Sequence, residues 1–309
     1  MHIPDAWART VASVHGERGV LWLADFDSLL RKCEQQWGLE LKLPSPYDLS
    51  YNFVVPASRR DGTEAVLKLG VPNHESMAEV EALRQFAGRG AVRLLEFDAS
   101  LGAMLLDIVQ PGVTLAESGL HDDEATLAAA GVMRRIAIPA ANIGDSSIVF
   151  PTVENWSRGL SKLRERYNGG TDPLPEGMVI RAEATFRELL ASATGELLLL
   201  HGDLHHGNLL SSDSDQGPWL AIDPKGVIGE AEYGTIPLLM NELPQAGQID
   251  TIRRRVELLC EALPLNRARI LAWGYSHSVL SAWWCVEDGV DGMEASLERA
   301  KWFEQLQAE

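Results

Sequence analysis

Two short apolar runs, Leu197-Leu-Leu-Leu200 and Trp219-Leu-Ala-Ile222, each lead into a loop that carries a carboxylate. This pairing constrains the chain more than any other feature. The first run leads into His201-Gly-Asp203-Leu-His-His-Gly-Asn208, the second into Asp223-Pro-Lys225-Gly226. Runs so short and so apolar come from buried structure. Asp203, Asn208 and Asp223 therefore stand at the edge of a core and are not ordinary surface-loop residues. Asp203 and Asn208 are five positions apart, a spacing that lets one tight loop aim a base at an acceptor hydroxyl and a carboxamide at a metal. Asp223 adds a second oxygen ligand of the kind Mg²⁺ takes. Gly202 and Gly207 give the loop backbone freedom.

A chain of 309 residues suits one large domain or two lobes and can bury a sizeable core. Its net charge of −17 argues against a nucleic-acid partner, which calls for clustered Lys and Arg. The same charge suits a cationic small-molecule ligand drawn in by the field of the whole protein, and it equally serves solubility. Cys33, Cys260 and Cys285 are far apart and odd in number, so neither a disulfide framework nor a metal spacing is expected. The N-terminal stretch lacks the basic and apolar regions of a secretory leader. No apolar stretch reaches the ~20 residues of a membrane span. A cytoplasmic protein without a membrane partner is the expectation.

Residues 4–37 read as two helices broken near Gly16, with apolar positions at Val20, Leu21, Leu23, Phe26, Leu29, Leu30 and Cys33. Leu49 to Val55 and Ala65 to Leu69 read as strands joined around Asp61-Gly62, a hairpin signal. A helix is expected over 74–88, then strands over Val92 to Phe97 and Ala103 to Val109. Past Pro111-Gly112 helical patterns dominate, over about 122–137, 152–167, 176–193, 247–263, 267–287 and 292–308. Only 209–211 and 218–222 look like strands there. The expected fold class is α+β: a strand-rich first lobe with a helical leader, residues 1–109, and a larger helical lobe, residues 110–309.

Lys68 lies inside the apolar strand Ala65-Val66-Leu67-Lys68-Leu69. A lysine there must reach solvent or meet an anion. On a helix over 74–88, Glu79, Leu83 and Phe86 share one stripe. A carboxylate on an apolar stripe wants a cation, which favours Glu79 as the Lys68 partner over Glu81 on another face.

Together these residues resemble the aminoglycoside phosphotransferase family of kinase-like enzymes, most like its streptomycin 6-phosphotransferase and hydroxyurea phosphotransferase branch. The resemblance runs over nearly the whole chain. It includes Ile3-Pro-Asp-Ala-Trp7 with Val14-His-Gly16, Ala65-Val-Leu-Lys68, His201 to Asn208, Ile222-Asp-Pro-Lys-Gly226, Val279-Leu-Ser-Ala-Trp283 and Val286-Glu-Asp-Gly289. It implies a protein-kinase-like two-lobe fold, with Asp203 as catalytic base, Asn208 and Asp223 as Mg²⁺ ligands, Lys68 on the phosphates of ATP (or GTP) and Glu79 as its partner. It also implies a hinge from Leu105 through Asp107 to Val109 that holds the purine through its backbone. The implied reaction moves a nucleotide γ-phosphoryl group to a hydroxyl of a streptomycin-like antibiotic or of hydroxyurea. Two other readings stand beside it: a kinase of an ordinary hydroxylated metabolite, and a non-catalytic nucleotide-binding protein of the same fold.

The chain departs from the family pattern twice. Asp48-Leu-Ser-Tyr-Asn-Phe53 stands where a glycine-rich loop would cover the phosphates, and Tyr233 is followed by Gly234 where an acidic residue is usual, with Glu232 as a possible substitute. His201, His205 and His206 with Asp203 also resemble part of a zinc-hydrolase ligand set, but only His277 follows downstream. The alternative has His201 packed behind the loop and His205 and His206 lining the cleft. Glu287 and Asp288, after Trp283-Trp284, either hold cationic groups of an acceptor or merely end a helix beside core tryptophans. Lys225 either meets the γ-phosphate or pairs with an acid such as Glu230.

Overall fold

The computed structural model describes residues 3–146, 148–193 and 195–309; Met1 and His2 of the leader lie outside the described residues, as do Ser147 and Thr194. The chain opens with α1 (Asp5–Ala24) and α2 (Phe26–Trp37), then β1 (Leu39–Leu41), β2 (Phe53–Arg59), β3 (Glu64–Leu69), α3 (His74–Phe86), β4 (Leu94–Asp98) and β5 (Ala103–Asp107). It continues through β6 (Pro111–Thr114), α4 (Asp122–Ile136), β7 (Ile138–Pro139), α5 (Val153–Ser157), α6 (Gly159–Arg166) and α7 (Glu176–Ala191). The strands β8 (Leu198–Leu200), β9 (Leu209–Ser212), β10 (Trp219–Ala221) and β11 (Val227–Gly229) follow, and α8 (Ile236–Met240), α9 (Gln248–Ala262), α10 (Arg267–Asp288) and α11 (Met293–Gln307) close it.

The first five strands form one antiparallel sheet, in order β1-β2-β3-β5-β4. Lys68 sits mid-strand in β3, opposite Val54 and Met104. The leader packs on this sheet through an aromatic cluster. Trp7, Trp22, Phe26 and Phe53 pack edge-on or tilted, with ring centroids 5.0 to 6.0 Å apart, a spacing that adds to their area burial. The helix α1 is kinked at Gly16 (φ 56°, ψ −139°), where the sequence predicts a break, and the chain breaks again at Asp25. In the segment between the two breaks Val20 and Leu21 face solvent and Trp22 faces inward.

The strand expected from Leu49 instead begins at Phe53 and runs through Pro56 to Arg59. The Pro56 carbonyl accepts from the Lys42 amide, just past the end of β1. Within a strand residue, N–H and C=O point the same way, so the donor that proline lacks costs the β3 ladder nothing. The predicted helix over 152–167 is two helices meeting at Arg158.

The larger helical part also holds β6, β7, β8 and β11, which the sequence did not reveal. They form two three-stranded sheets, β10-β9-β6 and β11-β8-β7. Its core centres on α10, whose Trp273, Trp283, Tyr275 and Leu280 are buried with Tyr233 and Phe303. Val80, Leu83, Phe86, Met104 and Leu106 of the strand-rich part belong to the same core. Main-chain bonds reinforce this link: Val92 N–H donates to the Ala221 carbonyl at 2.8 Å, and Ala221 N–H to the Gly90 carbonyl at 2.9 Å. Among the described residues no helix is long and apolar enough to cross a membrane.

Candidate active site

The two carboxylate loops leave short strands of the two three-stranded sheets. β8 delivers His201 to Asp203, and β10 delivers Asp223. At Gly202 the backbone takes φ 84°, and a Cβ there would lie 3.0 Å from the Lys225 Cβ and 3.2 Å from the Trp156 ring. Only glycine suits both the angle and the space. The loop then closes on itself. Asn208 Nδ2 donates to the Asp203 carbonyl at 2.9 Å, Asn208 N–H to the His205 carbonyl at 3.0 Å, and Gly207 N–H to His205 Nδ1 at 3.1 Å.

His201 is the internal brace. Its Nδ1 accepts from the Asp203 amide at 3.3 Å, so Nε2 carries the proton and donates to the Ile222 carbonyl at 2.8 Å. Burial pushes its pKa down to about 4, which keeps the ring neutral. Both nitrogens are thus committed to main chain, and the zinc reading fails on that geometry. Among the described residues no group of three or more His, Cys, Asp or Glu can hold a metal by itself.

Asp223 occupies a left-handed conformation, φ 58°, that non-glycine residues seldom adopt. The turn brings its carboxylate to Lys68, Nζ to Oδ1 3.0 Å. The same ammonium lies 2.6 Å from Glu79 Oε1. Glu81 instead approaches Arg84 at 3.6 Å and accepts from Gln85 at 2.9 Å. The helix α3 is held at its start by an Asn73–Ser76 capping box. It is then pressed onto the Asp223 turn at Gly226 (φ 62°), where a Cβ would fall 3.0 Å from the Ala78 carbonyl and 2.9 Å from Phe150.

Burial alone would lower the Lys68 pKa; Asp223 and Glu79 more than reverse that and hold it charged. Burial pushes the Asp223 carboxyl up, but Lys68 outweighs it and the net position is below the ordinary range. Asp203 moves the other way. Partial burial raises it, against the pull of His205 and Lys225. One carboxylate kept ionised beside another with raised proton affinity suits a division of roles.

The expected hinge needs revision at its start. Leu105 is fully buried inside β5, paired to Leu67 on one side and Glu96 on the other. The Asp107 amide donates to the Arg93 carbonyl at 2.9 Å, and its carboxylate meets Arg93 at 2.8 Å. The main chain beyond the ladder begins at Ile108 and Val109, after which β6 pairs with β9.

His205 is half-buried, its Nε2 4.0 Å from Asp203. His206, expected in the cleft, is buried instead, with Arg255 and Asp122 as its charged neighbours. Burial and the neighbouring Arg255 push its pKa down to about 4. Glu232 does not replace the acid missing at Gly234; its carboxylate accepts from the Asn266 amide at 3.0 Å. Glu230 accepts from Arg269 at 2.7 Å and from Trp273 at 2.9 Å.

Of the tryptophan pair, Trp283 is core, while Trp284 is half-buried and packs edge-on against Trp156 at 5.9 Å. Trp156 in turn rests on Gly202. The aromatic path Trp284–Trp156–Gly202 reaches the catalytic loop, and Glu287 and Asp288 follow Trp284 at the exposed end of α10. Glu287 lies 3.8 Å from Lys162. Sequence reasoning missed Trp156, whose only signal was an aromatic residue in a short polar helix. A cavity of about 240 Å³ lies behind the loop, lined by Leu198–Leu200, His201, Leu204 and Gly234. Its lining is largely apolar.

Residues 45–289 match the family of aminoglycoside/hydroxyurea antibiotic resistance kinases. The chain is 33% identical over 304 residues to a streptomycin 6-kinase of Streptomyces glaucescens, covering 94% of this chain and 92% of the relative. It is 37% identical over 267 residues to a hydroxyurea phosphotransferase of Kitasatospora aureofaciens, covering 82% and 72%. Among solved structures, choline kinase LicA from Streptococcus pneumoniae superposes with a TM-score of 0.63 at 14% identity, over 91% of this chain and 98% of that one. A thermostable mutant of aminoglycoside phosphotransferase APH(4)-Ia, solved as a ternary complex with ADP and hygromycin B, gives 0.63 at 14% over 90% and 98%. The fold is protein-kinase-like, and the chain is a phosphotransferase of the antibiotic kinase type. It belongs to the aminoglycoside/hydroxyurea antibiotic resistance kinase family.

Proposed function

We propose that the enzyme transfers the γ-phosphoryl group of ATP to a hydroxyl of a streptomycin-like aminoglycoside, with residues 1–109 and 110–309 as its two lobes. The observation that carries this reading is the convergence at Asp223. Lys68, already tied to Glu79, reaches the loop that lies beside Asp203. Asp203 orients the acceptor hydroxyl and takes its proton, aided by partial burial that raises its affinity for that proton. Lys68 holds nucleotide phosphate oxygens. Catalysis rests on alignment and charge, with no covalent enzyme intermediate.

Asn208 and Asp223 would hold Mg²⁺. Oxygen donors suit that ion, the Asn208 Nδ2 is committed to the Asp203 carbonyl so that Oδ1 is left for a ligand, and one Asp223 oxygen remains beyond its contact with Lys68. When bound, the ion would offset negative charge on the phosphates. A site built from one carboxylate and one carboxamide is completed by substrate phosphates, which fits the lack of an all-protein cage among the described residues.

Trp156 and Trp284 form the acceptor wall, His205 stands at its edge, and Glu287 and Asp288 draw cationic groups. Two acids at the end of a 22-residue helix work against its macrodipole, which favours a ligand role for them. The net charge of −17 favours a cationic acceptor over neutral hydroxyurea. The test is ADP release with Mg-ATP and, separately, Mg-GTP, in the presence of streptomycin, hydroxyurea or simple hydroxylated amines. Streptomycin-dependent release is the expected result; release with hydroxyurea alone would overturn the acceptor assignment.

A further inference from the structure

Lys225 has no task in the scheme above, yet its position is fixed. Its amide donates to the His201 carbonyl at 2.7 Å, and the Gly226 amide donates to the same oxygen at 3.2 Å. Its Cβ faces Gly202, the residue before Asp203. The side chain therefore starts between the two carboxylate loops, and its charge reaches Asp203, Asp223 and Glu79. The alternative partner, Glu230, is occupied by Arg269 and Trp273. Among the described residues the Lys225 ammonium has no ion-pair or hydrogen-bond partner, and the residue is exposed.

A phosphoryl group in transfer spreads its negative charge over three oxygens. Lys68 lies between Glu79 and Asp223, so two carboxylates already balance its charge. The catalytic loop adds no permanent cation. His201 and His206 are buried and neutral, and Leu204 and Gly207 carry no charge. Besides the Mg²⁺ that Asn208 and Asp223 would hold, the loop brings no permanently cationic side chain to the place beside Asp203 where acceptor and γ-phosphate meet, and Lys225 is rooted there.

We propose that Lys225 is a catalytic residue whose ammonium binds a non-bridging oxygen of the nucleotide γ-phosphate and stays on it through transfer. In that step a lone pair of the acceptor oxygen forms the new O–P bond. The bond from the γ-phosphorus to the β–γ bridging oxygen breaks, and its electron pair leaves with ADP. The hydroxyl proton goes to Asp203, and Lys225 exchanges none. The inference rests on the kinase reading of this site and adds the residue that senses the third phosphate.

The test compares the wild-type enzyme with Lys225→Ala and Lys225→Arg by two readouts. Calorimetry measures affinity for Mg-ADP and for a non-hydrolysable Mg-ATP analogue; single-turnover kinetics measures transfer. In Lys225→Ala the affinity for ADP should stay within about 2-fold of wild type, while the preference for the triphosphate falls about 10-fold or more, the worth of one charge-assisted hydrogen bond. Transfer should slow by about 10² to 10³, and Lys225→Arg should recover part of both. A Lys225→Ala enzyme that keeps the triphosphate preference overturns this inference alone, whatever the acceptor. Equal loss of ADP and triphosphate affinity overturns it too, by showing a general role in the site. A wild-type enzyme that binds neither nucleotide overturns the kinase reading, and the inference with it.

Discussion

One imidazole joins the two halves of the candidate site: His201 accepts from the Asp203 amide at 3.3 Å and donates to the Ile222 carbonyl, beside Asp223, at 2.8 Å. The brace works only while the ring is neutral, because protonation would turn Nδ1 from acceptor to donor. Replacing it by alanine leaves the Ile222 carbonyl and the Asp203 amide without partners. His201→Ala should lose about 1 to 3 kcal/mol of stability in urea unfolding. Turnover should fall with it, and nucleotide affinity should change less than kcat.

Stability should drop on mild acidification. Burial holds His201, His206 and His277 each at about 4, against an ordinary 6.5. These folded values are depressed, so the neutral rings contribute stability that is fully present above pH 6.5 and is lost as pH falls toward 4. In that window unfolding takes up as many as three protons, so stability rises with pH. Urea titrations between pH 7 and 4.5 check the slope, and His206→Phe should remove about one proton from it.

The acid side of the rate profile should report Asp203. Its carboxyl is raised by burial, with His205 and Lys225 pulling it down and Asp223 pushing it up. Proton acceptance needs the ionised form, so kcat/KM should fall with acid at an apparent pKa above the ordinary ~4 of an aspartate. A limb at or below that value would contradict the raised carboxyl.

The sequence displayed the candidate site residues better than the scaffold that holds them. Asp203, Asn208, Asp223 and Lys68 are legible because each interrupts or ends an apolar run, where a polar group needs a reason. Glu79 was separable from Glu81 because helical periodicity puts it on one apolar stripe with Leu83 and Phe86, although both carboxylates are buried. The strands β6, β7, β8 and β11 were not legible; two to four residues cannot show a period of two, and Leu197–Leu200 is apolar without alternation. Pro56 hid the continuation of β2, since its harmless position depends on where β1 ends. Trp156 and the inward turn of His206 depend on contacts far apart in sequence, with Gly202 in one case and Arg255 in the other.

The buried ion pair gives a structural prediction. Lys68 and Glu79 lie 2.6 Å apart with side chains 3% and 10% exposed. Removing one partner strands the other, which costs about 3 to 5 kcal/mol in such pairs. Glu79→Ala should fall at the low end, because Asp223 still meets Lys68, and it should raise the KM for nucleotide. An unchanged unfolding midpoint would contradict the pairing.

Acceptor recognition separates by charge. Glu287→Gln with Asp288→Asn should raise the KM for streptomycin by about 10-fold and leave the ADP dissociation constant alone. Trp156→Ala should weaken any acceptor, charged or neutral, because it removes the wall beside Gly202. Steady-state kinetics with the two acceptor types checks both, and equal effects of the two changes on nucleotide binding would argue against an acceptor site there.

The most direct measurement is streptomycin-dependent ADP release by Asp203→Ala beside the wild-type enzyme, with Mg-ATP affinity measured on the same preparations. The predicted result is wild-type turnover, a loss of about 10³-fold or more in the variant, and nucleotide affinity within about 3-fold of wild type. A variant that keeps substantial turnover, or that loses nucleotide binding along with it, would contradict Asp203 as the base.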